Sequence, residues 1–370
     1  MKGMQFEPVD TLFFRGGTPF TMDRDPQEDV SSVFPPHPPS MAGVVRAALA
    51  LANGWDGRSR WPAGTEKVLG SGPDNLGDIS LAGPFVLRNS QPLFPLPRHV
   101  VGKDVQGVWQ PRMLLRPGRP VVCDLGKDVR LPEPPRDGSA EIAQLEATDD
   151  IWVSRAGLSS VLRGDIPAVG ELYHRRDLWG EEPRIGLERE TATRTAREGM
   201  LYSTRHVRLR RGVSLGVRAD GVPTTWNTPF GQLVPLGGES RLVEVREWNG
   251  AVDVDMPLEK ICKSGRFTVI ALTPVDLDPE IVTGRRPLRE ASNAMVISAC
   301  LSRPLRIGGW DSLAHKPLPL HSILPAGSVL FCFTSDPSRL EVAIENGRLL
   351  RIGSRTAQGF GVVAFGSWDD

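Results

Sequence analysis

Arginine is the residue of this sequence best placed to act on a partner, and it crowds into one stretch. Between Arg184 and Arg211 stand Arg189, Arg194, Arg197, Arg205, Arg208 and Arg210, with only three acidic residues interspersed. Planar guanidinium forks match phosphate oxygens two at a time and stack on bases, so the stretch suits the backbone of a single-stranded RNA. Tyr202 adds a ring on which a base can stack, a contact of about 1–3 kcal/mol. The competing reading is a solvated charged face, with Tyr202 a core residue whose hydroxyl is satisfied.

Two glycine loops offer a different anion chemistry. Arg15-Gly16-Gly17 precedes a helix start at Ser40, where backbone N–H groups without helical partners attract phosphate. Arg46, one and a half turns into that helix, either extends such a site or faces solvent. Near the other end, Gly353-Ser354-Arg355-Thr356-Ala357-Gln358-Gly359-Phe360-Gly361 can converge its N–H groups on an anion, with Arg355 reinforcing the nest and Gly359 the close approach. A tight turn before a last strand explains the same glycines. Gly308-Gly309-Trp310-Asp311 lacks the spacing of a nucleotide-binding loop, so Trp310 reads as a core residue or as an anchor in a subunit interface.

Catalysis has little to work with. Of six histidines, only His37, on a candidate RNA-facing loop, and His206, inside the arginine stretch, are placed to act as acid or base on a ribose hydroxyl. No His-x-x-x-His, no Gly-x-Ser-x-Gly elbow and no tight carboxylate cluster between apolar strands occurs. The four cysteines lie far apart, without metal-ligand spacing, and read as thiols in a reducing cytosol. No metal and no cofactor is expected.

The elements that must position these residues are mostly strands. Glycine (39) and proline (33) are abundant and aperiodic, which favours strands and long loops over helices. Met4 and Phe6 alternate into a strand that ends near Glu7, where Pro8 follows. Phe34-Pro35-Pro36-His37-Pro38-Pro39 leads to a helix capped by Ser40, whose apolar face is Met41, Val44, Val45, Ala48 and Leu49. Residues 52–150 are broken by Gly, Pro and Asp and offer no clear strand, and Leu131 to Ser139 reads as an exposed loop. A short helix is expected near Ser154 to Arg163. Phe267–Ala271 and Val329–Phe333 read as buried strands, Pro287–Pro304 as a helix between them, and Gly359–Phe365 as a turn and final strand.

Length and charge bound the rest. At 370 residues, two domains are expected, divided as 1–180 and 181–370. The 44 basic residues match 44 acidic ones, so any RNA surface is local. No apolar run approaches the roughly 20 residues that cross a bilayer, and no apolar leader opens the chain, so a cytoplasmic protein without membrane contact is expected.

Several of these segments together resemble one family. Asp10-Thr11-Leu12-Phe13-Phe14-Arg15 before a glycine turn, Phe34-Pro35-Pro36 before the helix, Arg184-Ile185-Gly186-Leu187 through Gly199-Met200-Leu201-Tyr202, Leu236-Gly237-Gly238-Glu239, Ile307-Gly308-Gly309-Trp310-Asp311 and the C-terminal glycine loop occur in this order. In that order they are similar to the RAMP superfamily, in particular its third subunit of the type III-B CRISPR (Cmr) effector complex. The resemblance implies an α+β fold of two ferredoxin-like (RRM-like) modules with long loops and insertions. It implies a non-catalytic subunit that holds the 5′ repeat-derived handle of the CRISPR RNA. Its neighbours would be the large polymerase-like Cmr subunit and the RAMP backbone subunits, with target RNA met indirectly. RAMP glycine loops carry more glycines than this one, and Arg355 stands where another would be expected. The alternative reading is a metal-independent RAMP endoribonuclease that processes precursor CRISPR RNA.

Overall fold

In the computed structural model the described residues are 2–16, 29–124, 126–135, 144–190, 192–311, 316–337, 340 and 350–369. The alternating first segment forms the strand Lys2–Pro8, which buries Met4 and Phe6 completely. It lies inside an eight-stranded antiparallel sheet. The order across that sheet is Leu172–His174, Ile151–Ser154, Gln91–Pro95, Ser80–Arg88, Val213–Asp220, Lys2–Pro8, Leu242–Glu247 and Leu233–Pro235.

The helix Pro38–Ala52 packs Met41, Val44, Val45, Ala48 and Leu49 into the core on this sheet, the face read from the 3.6-residue period. Its start differs from expectation. Pro38 and Pro39 occupy the first two helical positions, where a fixed φ and a missing N–H cost nothing, so His37 is the N-cap. Ser40 is exposed within the first turn, and its N–H already donates to the His37 carbonyl at 3.0 Å.

A five-stranded sheet follows, in the order Met295–Cys300, Val329–Phe333, Arg266–Ala271, Val362–Ser367 and Leu350–Arg351. The helix expected over Pro287–Pro304 is absent, and Met295–Cys300 is an edge strand instead. Ser292 and Asn293 take positive φ (55° and 50°), which stops a helix there, and a bulge between Val296 and Ser298 disguises the two-residue period. The helix Arg155–Arg163 was legible. Ser154 caps it by accepting from Gly157 N at 3.1 Å.

The two sheets share one core, in which Phe85, Phe94, Leu158 and Leu162 meet Ile270, Phe331 and Val362. Val213–Asp220 and Leu242–Glu247 complete the first sheet, so the chain passes from one sheet to the other between Glu247 and Arg266, downstream of position 180. Four strands of each sheet repeat one pattern. Numbered along the chain, Lys2–Pro8, Ser80–Arg88, Val213–Asp220 and Leu242–Glu247 lie in the order second, third, first, fourth. Arg266–Ala271, Met295–Cys300, Val329–Phe333 and Val362–Ser367 do the same.

Residues 52–150, which offered no clear strand, form several. Besides Ser80–Arg88 and Gln91–Pro95 they include the hairpins Val100–Val105 with Val108–Leu114 and Arg116–Cys123 with Gly126–Glu133. Leu131 to Glu133, read as loop, is the end of that last strand, and 136–139 lie outside the described residues. No helix of the described residues is long and apolar enough to cross a membrane.

Candidate RNA interface

The arginine stretch folds as a hairpin, Trp179–Arg189 with Ala196–Leu209, in antiparallel register from Trp179↔Leu209 to Arg189↔Ala196. Asp29–Ser31 adds to it in parallel, and the 10–16 segment docks alongside. Leu12 N donates to the Val207 carbonyl and Val207 N to the Leu12 carbonyl, both at 2.8 Å, while Ser32 N donates to the Arg205 carbonyl at 3.1 Å. Arg15 bridges Ser32. Main-chain pairing thus brings Arg15 and the arginine hairpin, separated by nearly two hundred residues, onto one surface.

His206 is the pin where three motifs meet, the 10–15 segment, the hairpin and the 236–239 turn. It is fully buried, its Nδ1 lies 3.0 Å from Thr11 Oγ1, and its ring stacks on Phe13 at 5.1 Å between centroids. Glu239 Oε2 sits 3.1 Å from Nε2. Burial holds the imidazole below its ordinary pKa, against the pull of Glu239. Gly237 is needed here: at φ +81° a Cβ would meet the Phe13 carbonyl oxygen at 2.4 Å, and Gly238 N donates to that oxygen at 2.7 Å. Phe34 completes the group, edge-on to Trp179 at 4.7 Å. A ring enclosed in this way presents no nitrogen to a substrate ribose. His37, half-buried as the helix cap, is pushed down to about 4 by burial.

Carboxylates divide the arginines. Arg184 and Arg208 both bind Asp10, each at 2.8 Å, and both bind Glu182. Asp10 is held at about 2, chiefly by the hydrogen bond from Arg184 and then that from Arg208, against burial. Arg241 lies 3.6 Å from Asp10 and 3.1 Å from Glu239. Arg205 pairs with Glu181 at 3.2 Å. Sequence reading missed these acids as partners, although Glu182 and Arg184 share one strand face by their two-residue spacing.

The remaining predicted residues fall in several places. Arg189 and Arg194 are exposed at the far end of the hairpin, Arg194 with φ +56° in its turn. Arg15 is exposed and Gly16 half-buried, and Gly17 lies outside the described residues. The side chains of Arg197, Tyr202 and Trp310 also lie outside the described residues; their backbones belong to the strands Ala196–Leu209 and Leu305–Asp311.

Arg46 is not at the hairpin. Its guanidinium donates to the Gly72 and Gly70 carbonyls at 2.9 and 3.1 Å and lies 4.7 Å over the Trp61 ring, and burial lowers it to about 10. Arg355 binds Asp276 at 2.8 Å and covers the Phe360 ring at 4.5 Å. Gly359 packs against the Gly83 carbonyl of the first sheet. No group of three or more metal-ligating side chains occurs among the described residues.

The described residues thus form a mixed fold of mostly strands, in which the Gly359 turn before the last strand of the second sheet packs on Gly83 of the first. Residues 4–368 match the family described as CRISPR-associated protein (Cas_Cmr3), and the chain belongs to that family. Among solved structures it is similar, at 18% identity and a TM-score of 0.49 over 94% of this chain and 90% of the other, to a chain of the type III-B Cmr-beta complex bound to cognate target RNA and AMPPnP. The same figures hold for the complex bound to cognate target RNA. It is similar at 11% identity and a TM-score of 0.39, over 100% of both chains, to one of the Csm3-Csm4 subcomplex in the type III-A CRISPR-Cas interference complex. No curated protein matches.

Proposed function

We propose that the chain is a non-catalytic subunit of a type III-B CRISPR ribonucleoprotein that holds the 5′ repeat-derived handle of the CRISPR RNA. The large polymerase-like subunit and the RAMP backbone subunits are its neighbours in this reading, and target RNA is met indirectly. Each sheet's second, third, first, fourth strand order supports two ferredoxin-like modules, with the division near 248–265.

The observation that carries the RNA reading is the pairing of the Arg15 segment with the arginine hairpin, which gathers cations from two distant stretches on one surface. Half-exposed ion pairs such as Arg205–Glu181 are worth only about 0–1 kcal/mol each, so a phosphate competes for the same guanidinium at little cost. The burial of His206 supports a holding role over cleavage.

The test is a complex purified with Arg15→Ala, Arg194→Ala and Arg205→Ala together. Guide RNA retained per complex, nuclease protection of the handle and the salt dependence of binding are measured. Each lost phosphate contact lowers the log–log salt slope by about 0.7, roughly 2 for three. Unchanged RNA content and slope would remove the handle from this surface. Cleavage of a repeat-containing transcript in EDTA, abolished by His37→Ala, would replace holding with processing.

A further inference from the structure

The helix Pro38–Ala52, about 22 Å long, leads from Phe34, which packs on Trp179 of the hairpin, to the loop that follows Ala52. That loop reads Trp55-Asp56-Gly57-Arg58-Ser59-Arg60-Trp61. Asp56 Oδ1 accepts from Arg58 N at 2.9 Å and from Ser59 N and Oγ, each at 2.8 Å, and Trp55 Nε1 donates to the Ser59 carbonyl at 2.8 Å. The backbone is therefore fixed while Arg58 and Arg60 project into solvent. Among the described residues neither guanidinium takes part in a salt bridge. The hairpin arginines Arg184, Arg205 and Arg208, by contrast, already face carboxylates.

Two half-buried indoles bracket this pair of cations. Trp55 and Trp61 meet edge to face at 6.5 Å, and Trp61 is backed by Arg46, whose guanidinium is itself anchored on the Gly70 and Gly72 carbonyls. The backing orients the ring and adds a third positive charge beneath it. Two exposed forked cations beside a pair of touching, half-buried indoles put phosphate clamps and aromatic surface together, the two groups that a nucleotide strand presents as phosphate and base. The indoles pack against the core and stay partly exposed beside the cations, a flat aromatic surface that a base can stack on and a peptide carboxylate cannot.

We infer that the Trp55–Trp61 loop is a second contact for single-stranded RNA, separate from the hairpin. The site extends the RNA-holding reading above and rests on it for the source of the strand.

The full chain is titrated with a short oligouridylate across a range of salt, as wild type, as Arg58→Ala/Arg60→Ala and as Arg194→Ala/Arg205→Ala. Loss of two phosphate contacts at the loop is expected to weaken binding about tenfold at moderate salt and to lower the salt slope by about 1.4. Ultraviolet crosslinks in the assembled complex are expected to map to residues 55–61. Binding that is unaffected by Arg58→Ala/Arg60→Ala yet lost in the hairpin variant overturns this inference and leaves the proposed function standing. The reverse pattern supports the loop and removes the hairpin. Intact RNA binding together with release of a protein subunit from the Arg58→Ala/Arg60→Ala complex would make the loop a protein dock and overturn the inference as well.

Discussion

Replacing Gly359 by alanine separates a packing role for the C-terminal glycine loop from an RNA role. Gly359 has φ +107°, and a Cβ there would stand 2.3 Å from the Gly83 carbonyl oxygen in the strand Ser80–Arg88. Ordinary Cβ contacts begin at 3.4 Å, so two backbones must part by 3.4 − 2.3 = 1.1 Å at the place where the second sheet's loop crosses the first. Left-handed backbone costs an L-residue about 1–2 kcal/mol, and overpacking a close contact about 1–3 kcal/mol. Together about 3 kcal/mol is expected. With a urea dependence of about 3 kcal/mol/M, the unfolding midpoint drops by about 1 M. Gly43→Ala is the matched control, because that glycine is exposed on the helix with nothing within 4 Å of its Cβ position. It should raise the midpoint by about 0.2–0.3 M, the effect of a helix-interior glycine worth roughly 0.5–1 kcal/mol. Unfolding is followed by tryptophan fluorescence. A Gly359→Ala chain that unfolds with the wild type but has lost guide RNA would refute the packing argument and return the loop to the RNA.

Two further outcomes follow from the local chemistry. Asp10 titrates at about 2 in the folded chain, below its ordinary 3.8, so its contribution is fully present above about pH 4 and is lost as pH falls toward 2. Thermal midpoints of wild type and Asp10→Asn should therefore differ at pH 6 and converge toward pH 2; a constant gap would show that the arginines do not hold the carboxylate. Burial pushes the Cys300 thiol up to about 12 and the Cys332 thiol higher still, whereas Cys123 is exposed. Native alkylation with iodoacetamide at pH 8, read by mass spectrometry, should label Cys123 and spare the buried pair; rapid labelling of Cys332 would mean the second sheet opens locally.

The parts legible in the sequence are those whose signal is local. Met4 and Phe6 alternate, and the helix face from Met41 to Leu49 recurs at helical spacing, so both elements were readable. The helix start was displaced by three residues because a serine cap and a proline pair compete for the same place, and the prolines fit the first turn. Met295–Cys300 imitated a helix because its bulge shifts the apolar period, and only the positive φ values at Ser292 and Asn293 reveal the turn before it. Of the candidate site, Arg15 was read in a glycine loop apart from the hairpin, since parallel pairing of Asp29–Ser31 leaves no periodic trace in so short a strand. The neutralising acids were not seen. Asp10 lies 174 residues from Arg184, and no spacing rule reaches that far. Arg46 and Arg355 had the right chemistry, and their commitments to Gly70, Gly72 and Asp276 depend on loops whose approach only the folded chain fixes.

The place of Lys2–Pro8 between Val213–Asp220 and Leu242–Glu247 also dictates a timetable. The two flanking partners follow only about 210 and 240 residues later, which at 5–20 residues per second takes roughly 10 to 50 s. Until the first of them is made Met4 and Phe6 have no neighbouring strand, and both edges of this strand stay open. A cell making this protein must therefore keep the Lys2–Pro8 strand from pairing elsewhere until Val213–Asp220 and Leu242–Glu247 have been made.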